Sequence, residues 1–302
     1  PSDFGAGEDG DLTVGNYNIN RDAQPGRLFP DAVNFIVTAV GEASVSVEGG
    51  VGGIEIGDEV LLINLQGTAD HHANVGNYEI KEVARINYGE NTVFFTTNVA
   101  RLYGATDTNA DLVGQKIMLQ RVPRYRSLRV DGTLTADGWN GTKGGVFFVK
   151  VLDSADIRGN INMDQKGYRI IANERGESLA GDVGRMLTPS PGGGGAGRDG
   201  YGSPGQDGWH SGWTSYCGSG GSYGSQGARY CYEGDRIRWE GQPGSMYGTP
   251  ELDQWHLGSG GGRASSVNMY CCWGGPRYHR EQIGSPGGGQ IVLWASGISV
   301  RG

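Results

Sequence analysis

Val130-Asp131-Gly132-Thr133-Leu134-Thr135 is echoed at Ile157-Arg158-Gly159-Asn160-Ile161-Asn162, and the longer string Gly144–Gly159, GGVFFVKVLDSADIRG, is echoed at equal length by Gly287–Gly302, GGGQIVLWASGISVRG. Both long strings end in an apolar residue followed by Arg-Gly. A short strand pair recurring once per ~25-residue coil is the mark of a stacked-coil solenoid of the parallel β-helix kind. Two copies are adjacent and one lies at residues 287–302. Residues 168–286 must therefore leave the stack as one excursion, and Val300 should return to lie on the coil of Ile157.

Upstream of this repeat, the residues read as a separate β unit. Asn34–Val40, Ser44–Val47, Glu59–Leu65, Tyr78–Ile86, Thr92–Val99 and Gln115–Val122 are apolar or alternating runs parted by Gly and Asn turns. Tyr88-Gly89-Glu90-Asn91 reads as a hairpin connection. The expected fold class is all-β, in four parts. Residues 1–33 form an N-terminal arm and 34–123 a small antiparallel β domain. Residues 124–167 with 287–302 form the stacked β coils, and 168–286 a Gly-rich excursion.

The excursion has its own period. Residues 191–302 hold 31 of the 57 glycines, and Gly202, Gly205, Gly208 and then Gly218, Gly221, Gly224, Gly227 recur every third position. Three residues per turn is the repeat of the polyproline II helix, and a Gly-lined face lets such helices bond to one another as in polyglycine II. Interleaved Trp and Tyr set the region apart from a disordered linker. All four cysteines, Cys217, Cys231, Cys271 and Cys272, lie here without C-x-x-C spacing, which favours disulfides in an oxidising compartment over a metal site. Three connectivities stay open, including a vicinal Cys271–Cys272 bond. With no signal peptide at Pro1, the chain reads as a mature secreted product.

Composition excludes several classes. The formal net charge is −8 over 302 residues, and the only basic cluster, Arg121, Arg124, Arg126 and Arg129, is too small for a nucleic-acid partner. No run approaches the ~20 apolar residues of a membrane span. His71-His72 is a weak metal candidate, because neighbouring strand residues point to opposite faces. Glu8-Asp9-Gly10-Asp11 lacks the further acidic residues of a calcium loop and reads as a solvated charge run. No cofactor is expected. Asn140-Gly141-Thr142 is a glycosylation sequon that reads equally as a turn. Asp131, Asp153, Asp156 and Asp164 sit on or near the coils, where paired carboxylates could act on polysaccharide. They also suit plain turn chemistry.

Gly57–Ile63 with Gln66-Gly67-Thr68, Val75–Glu79, and Gln120–Pro123 followed by Trp139–Gly145 resemble the Gly-rich secreted bacterial surface proteins of the adventurous-gliding-motility type. The resemblance covers residues 57–167 and, by pattern, 287–302. The excursion is similar in its Gly triplets to the polyglycine II bundles of phage tail adhesins and of some receptor ectodomains. The resemblance implies an extracellular assembly or adhesive role and no catalytic residues. The expected function is thus a secreted structural subunit of a self-assembling filament, lattice or matrix, in contact with itself and with glycans or mineral. An adhesin is the alternative, with Trp209, Trp213, Tyr216, Tyr223, Trp255 and Tyr278 as contact groups. A polysaccharide-acting β-helix enzyme comes third.

Overall fold

The computed structural model describes residues 3–171, 175–181, 214–217, 238–240, 246–248, 250–261, 264–267, 279–282 and 285–301. At 171, 175, 214–217, 238–240, 264–267 and 279–282 it describes the backbone alone. Among the described residues the regular structure is all β.

The repeat is a three-sided parallel stack. One face orders Asp11–Val14, Ser127–Val130, Ala155–Ile157 and Ile298–Val300; a second orders Tyr17–Asn18, Thr133–Thr135 and Asn160–Asn162; the third orders Arg124–Tyr125, Val146–Val151 and Gln290–Ala295. Val130 lies on Ile157 and Ile157 on Val300, as the repeat requires. Inside the stack Leu12, Val14, Leu128, Val130, Leu134, Phe147, Val149, Val151, Ala155 and Ile157 form one core.

Two readings of the repeat change. Residues 11–18, expected in an N-terminal arm, are the first coil: Leu12 lies on Leu128 and Tyr17 on Leu134. Strands this short give no usable period, so only their pairing reveals them. The equal-length match of 144–159 with 287–302 is also one residue out along the long strand, where Val146 pairs with Gln290 and Phe147 with Ile291. The corner Leu152-Asp153-Ser154 is one residue longer than Ser296-Gly297, so the equal-length match returns at Ala155 and Ile298. Side chains alternate with a period of two, so the unshifted match would have turned every core residue outward.

At the corners the recurring glycine has a steric cause. A Cβ on Gly159 would overlap the carbonyl oxygen of Gly132, and one on Gly132 would overlap that of Gly15. The corners stack so closely that no side chain fits between coils.

The chain leaves the stack after its first coil to build a closed barrel. Its strands run Asn34–Val40, Ser44–Val47, Thr92–Phe95, Tyr78–Asn87, Glu59–Gln66 and Lys116–Arg121, every neighbour antiparallel. Asn91, with φ of 50°, closes the expected hairpin. Val60 and Leu62 point into the barrel core. Leu61, Ile63 and Leu65 point the other way, into a third core shared with Val146, Phe148 and Val292 on the outside of the stack. The apolar runs Val60–Ile63 and Val146–Val149 follow directly, because both faces of each strand are buried.

The roots of the excursion seal this seam. Leu179, Ala180, Trp255 and Leu257 join the shared core. Three extended segments bond in a ring: Tyr168 N donates to Gly258 O (2.9 Å), Gly258 N to Gly288 O (2.8 Å), and Gly287 N to Tyr168 O (2.9 Å). Each segment thus bonds to two neighbours in different directions, unlike the flat ladder of a sheet. Gly167, Gly258 and Gly287 have no room for a Cβ. The Gly triplets at 202–208 and 218–227 lie outside the described residues. Part of the excursion is ordinary sheet, with Thr214–Cys217 between Arg238–Glu240 and Ala264–Val267, and His279–Gln282 at the edge.

Candidate functional site

The last coil exposes what earlier coils hide. Ile291, Ile298 and Val300 sit over Phe147, Ala155 and Ile157, at positions that face the core axis. The lower three are at most 4% exposed, whereas Ile291, Ile298 and Val300 are 45%, 53% and 72% exposed. The equal-length alignment of 287–302 on 144–159 places Ile298 and Val300 on Ala155 and Ile157, whereas only the shifted register of the long strand puts Ile291 on Phe147.

The outer side of the same face carries a ladder of opposed charges. Arg126 pairs with Asp11, Arg129 with Asp131 (2.9 Å), and Asp156 with both Arg158 (2.7 Å) and Arg301 (3.4 Å). The hydrogen bond from Arg158 holds the Asp156 carboxyl below the usual range, and that from Arg126 draws Asp11 down to about 2. A carboxylate held ionised this way is a poor general acid. Asp153 and Asp164 are exposed at coil corners, where the backbone N–H of Asp164 caps Asn162 Oδ1 (2.8 Å).

Of the expected contact aromatics, Trp255 belongs to the interior. It is 5% exposed, stacked on Tyr78 at 3.8 Å and edge-on to Phe148 at 5.5 Å. The Gly-based seam needs a large apolar plug, and Trp255 is that plug. Tyr216 and Cys217 lie on the strand Thr214–Cys217, with only their backbone described. Trp209, Trp213, Tyr223, Tyr278, Cys231, Cys271 and Cys272 lie outside the described residues.

His71 and His72 lie in a turn closed between Thr68 and His71, with His72 Nδ1 3.1 Å from Thr68 O. No group of three metal-ligating side chains occurs among the described residues. Asn140 is exposed, and its Oδ1 accepts from Thr142 N (2.9 Å), Thr142 Oγ1 (2.8 Å) and Lys143 N (3.0 Å). The Glu8–Asp11 run is not simply solvated. Asp9 is buried between Arg121 (2.7 Å) and Arg27 (3.3 Å). Its partners come from distant parts of the chain, which a local reading does not show.

One further concavity, about 440 Å³, lies on the barrel between Thr38–Val40 and the loop bearing Asn109, Ala110, Leu112 and Val113. It is shallow and mixes polar with apolar walls.

No family model and no curated protein matches the chain. Among solved structures it shows similarity to the tailspike protein gp49 from Pseudomonas phage LKA1. The likeness has 12% identity and a TM-score of 0.20, covering 42% of this chain and 24% of that one. The match thus spans about a quarter of the tailspike.

Proposed function

We propose that the chain is a structural subunit of an extracellular assembly, built by contacts between copies of itself. The observation that carries this reading is the coil stack itself, three faces of parallel strands whose corners meet through Gly132 and Gly159 with no side chain between them. Its ion-paired outer ladder presents opposed charges without a large net field, which suits repeated contact between copies. Glycans or a mineral surface would be secondary partners, and disulfides among the four cysteines would suit such a setting. The test is sedimentation and electron microscopy of the native protein over a wide concentration range. Concentration-dependent oligomers, filaments or lattices are expected; persistent monomers at high concentration would overturn the reading.

The barrel concavity supports a second reading, adhesion. Its open, mixed lining suits a sugar chain better than a deeply enclosed small molecule. Binding to a glycan array that disappears in Asn109→Ala, with the fold intact, is the outcome this reading requires.

A further inference from the structure

We propose that residues 254–257 are an acid-released latch over the seam between barrel and stack, which protonation of His256 lifts to uncover the aromatic face of Tyr78 and Phe148. The latch is independent of whether copies of the chain assemble.

A few bonds at one turn of the barrel hold the segment down. Trp255 N donates to Gly76 O (2.8 Å), and Gln254 Nε2 donates to Ala73 O (3.2 Å) and Asn77 Oδ1 (3.0 Å). Beneath them the Trp255 ring is stacked on Tyr78 and edge-on to Phe148. The His256 ring occupies the place where a side chain on Gly76 would stand, and Gly76 has a φ of 85°. Just before the latch, Leu252 is half exposed and holds a φ of 53°, a conformation unfavourable for a bulky residue. The closed segment thus carries local strain that opening relaxes.

The surroundings of His256 accommodate a neutral ring and not a charged one. An imidazolium donates from both nitrogens, and Nδ1 is buried with no hydrogen-bond partner among the described residues. From the barrel the ring meets Gly76, in a turn whose residues 73–77 are all neutral. His71 and His72 precede that turn, with His72 Nδ1 directed at Thr68 O (3.1 Å). From residues 246–248 the ring meets Tyr247, whose hydroxyl donates to Leu257 O (2.5 Å) and accepts from Ser259 Oγ (2.9 Å). Asp253, on its own segment, attracts the charged form, but burial outweighs that pull and lowers the pKa from 6.5 to about 4. A depressed value in the closed form means that the open segment binds the proton more tightly. The latch is therefore at full strength above pH 6.5. Its open population grows as pH falls toward 4 and levels off below that, at about 300 times the neutral value.

Hydrogen exchange on the full chain tests this, with the strand Val146–Val151 as the internal reference for global unfolding. Between pH 7 and pH 3 the Trp255 amide, corrected for its intrinsic rate, should exchange at least ~100-fold faster relative to that strand. The acceleration should be lost in both His256→Phe and His256→Gln, and should persist when His71→Asn and His72→Asn are combined. A wild-type ratio that stays constant across this range overturns the latch without recourse to any variant. So does an acceleration that survives both His256 substitutions, or one that the His71 and His72 substitutions abolish.

Discussion

His256 is 6% exposed, and its Nδ1 has no hydrogen-bond partner among the described residues. Its ring lies edge-on to Tyr247 at 5.5 Å, and a Cβ on Gly76 would run into it. Burial lowers its pKa from 6.5 to about 4, against an opposing pull from Asp253. Because the folded value lies below the unfolded one, its contribution is intact above pH 6.5 and is lost as pH falls through 4. The loss approaches about 3 kcal/mol at the acid limit. Urea unfolding across this window should show wild type losing about 3 kcal/mol of stability relative to His256→Phe as pH falls from 6.5 to below 4; a constant difference would contradict it. The neighbouring Trp255→Ala should cost about 3–5 kcal/mol by the same measurement, because the stacked and edge-on partners lose their contacts together. Its aromatic character was plain in the sequence. Whether it faced solvent or core was not, because burial depends on Tyr78 and Phe148, far away along the chain.

At the level of elements, the corner glycines give a graded test. Gly132 and Gly159 each lie against the backbone of the coil below, whereas Gly15 has nothing within 4 Å. Gly159→Ala and Gly132→Ala should each destabilise by about 1–3 kcal/mol, and Gly15→Ala should be close to neutral. Equal effects at all three would show that conformational freedom, rather than close approach, selects glycine there. The repeated Gly was legible as a coil marker. The displaced register of Val146–Val151 on Gln290–Ala295 was not, because it depends on corner length and on which face is buried on both sides. Similarly, the barrel strands could be picked out from runs and turns, but not their closure. That depends on the pairing of Asn34–Val40 with Lys116–Arg121 across the whole unit.

Across the whole molecule, barrel and stack are welded by a buried polar network as well as by the shared apolar core. Arg121 bonds Asp9 (2.7 Å), Asp58 (2.9 Å) and Asp31 O (2.9 Å), while Tyr17 and Tyr125 hydroxyls both donate to Asp31 (2.8 Å). Arg121→Met strands Asp9 and Asp58 as buried charges and should cost about 3–5 kcal/mol. With the weld intact, barrel and stack should unfold in one transition by calorimetry; two separated transitions in wild type would show that the seam does not couple them. The sequence by itself determined the all-β class, the coil repeat, the excursion between its copies and the glycine demand, because each is written in local period and composition. That residues 11–18 belong to the stack and that Asp9 and Trp255 are interior emerges only from the tertiary structure. Those outcomes depend on which distant surfaces meet, and burial is a property of the pair, not of either strand alone.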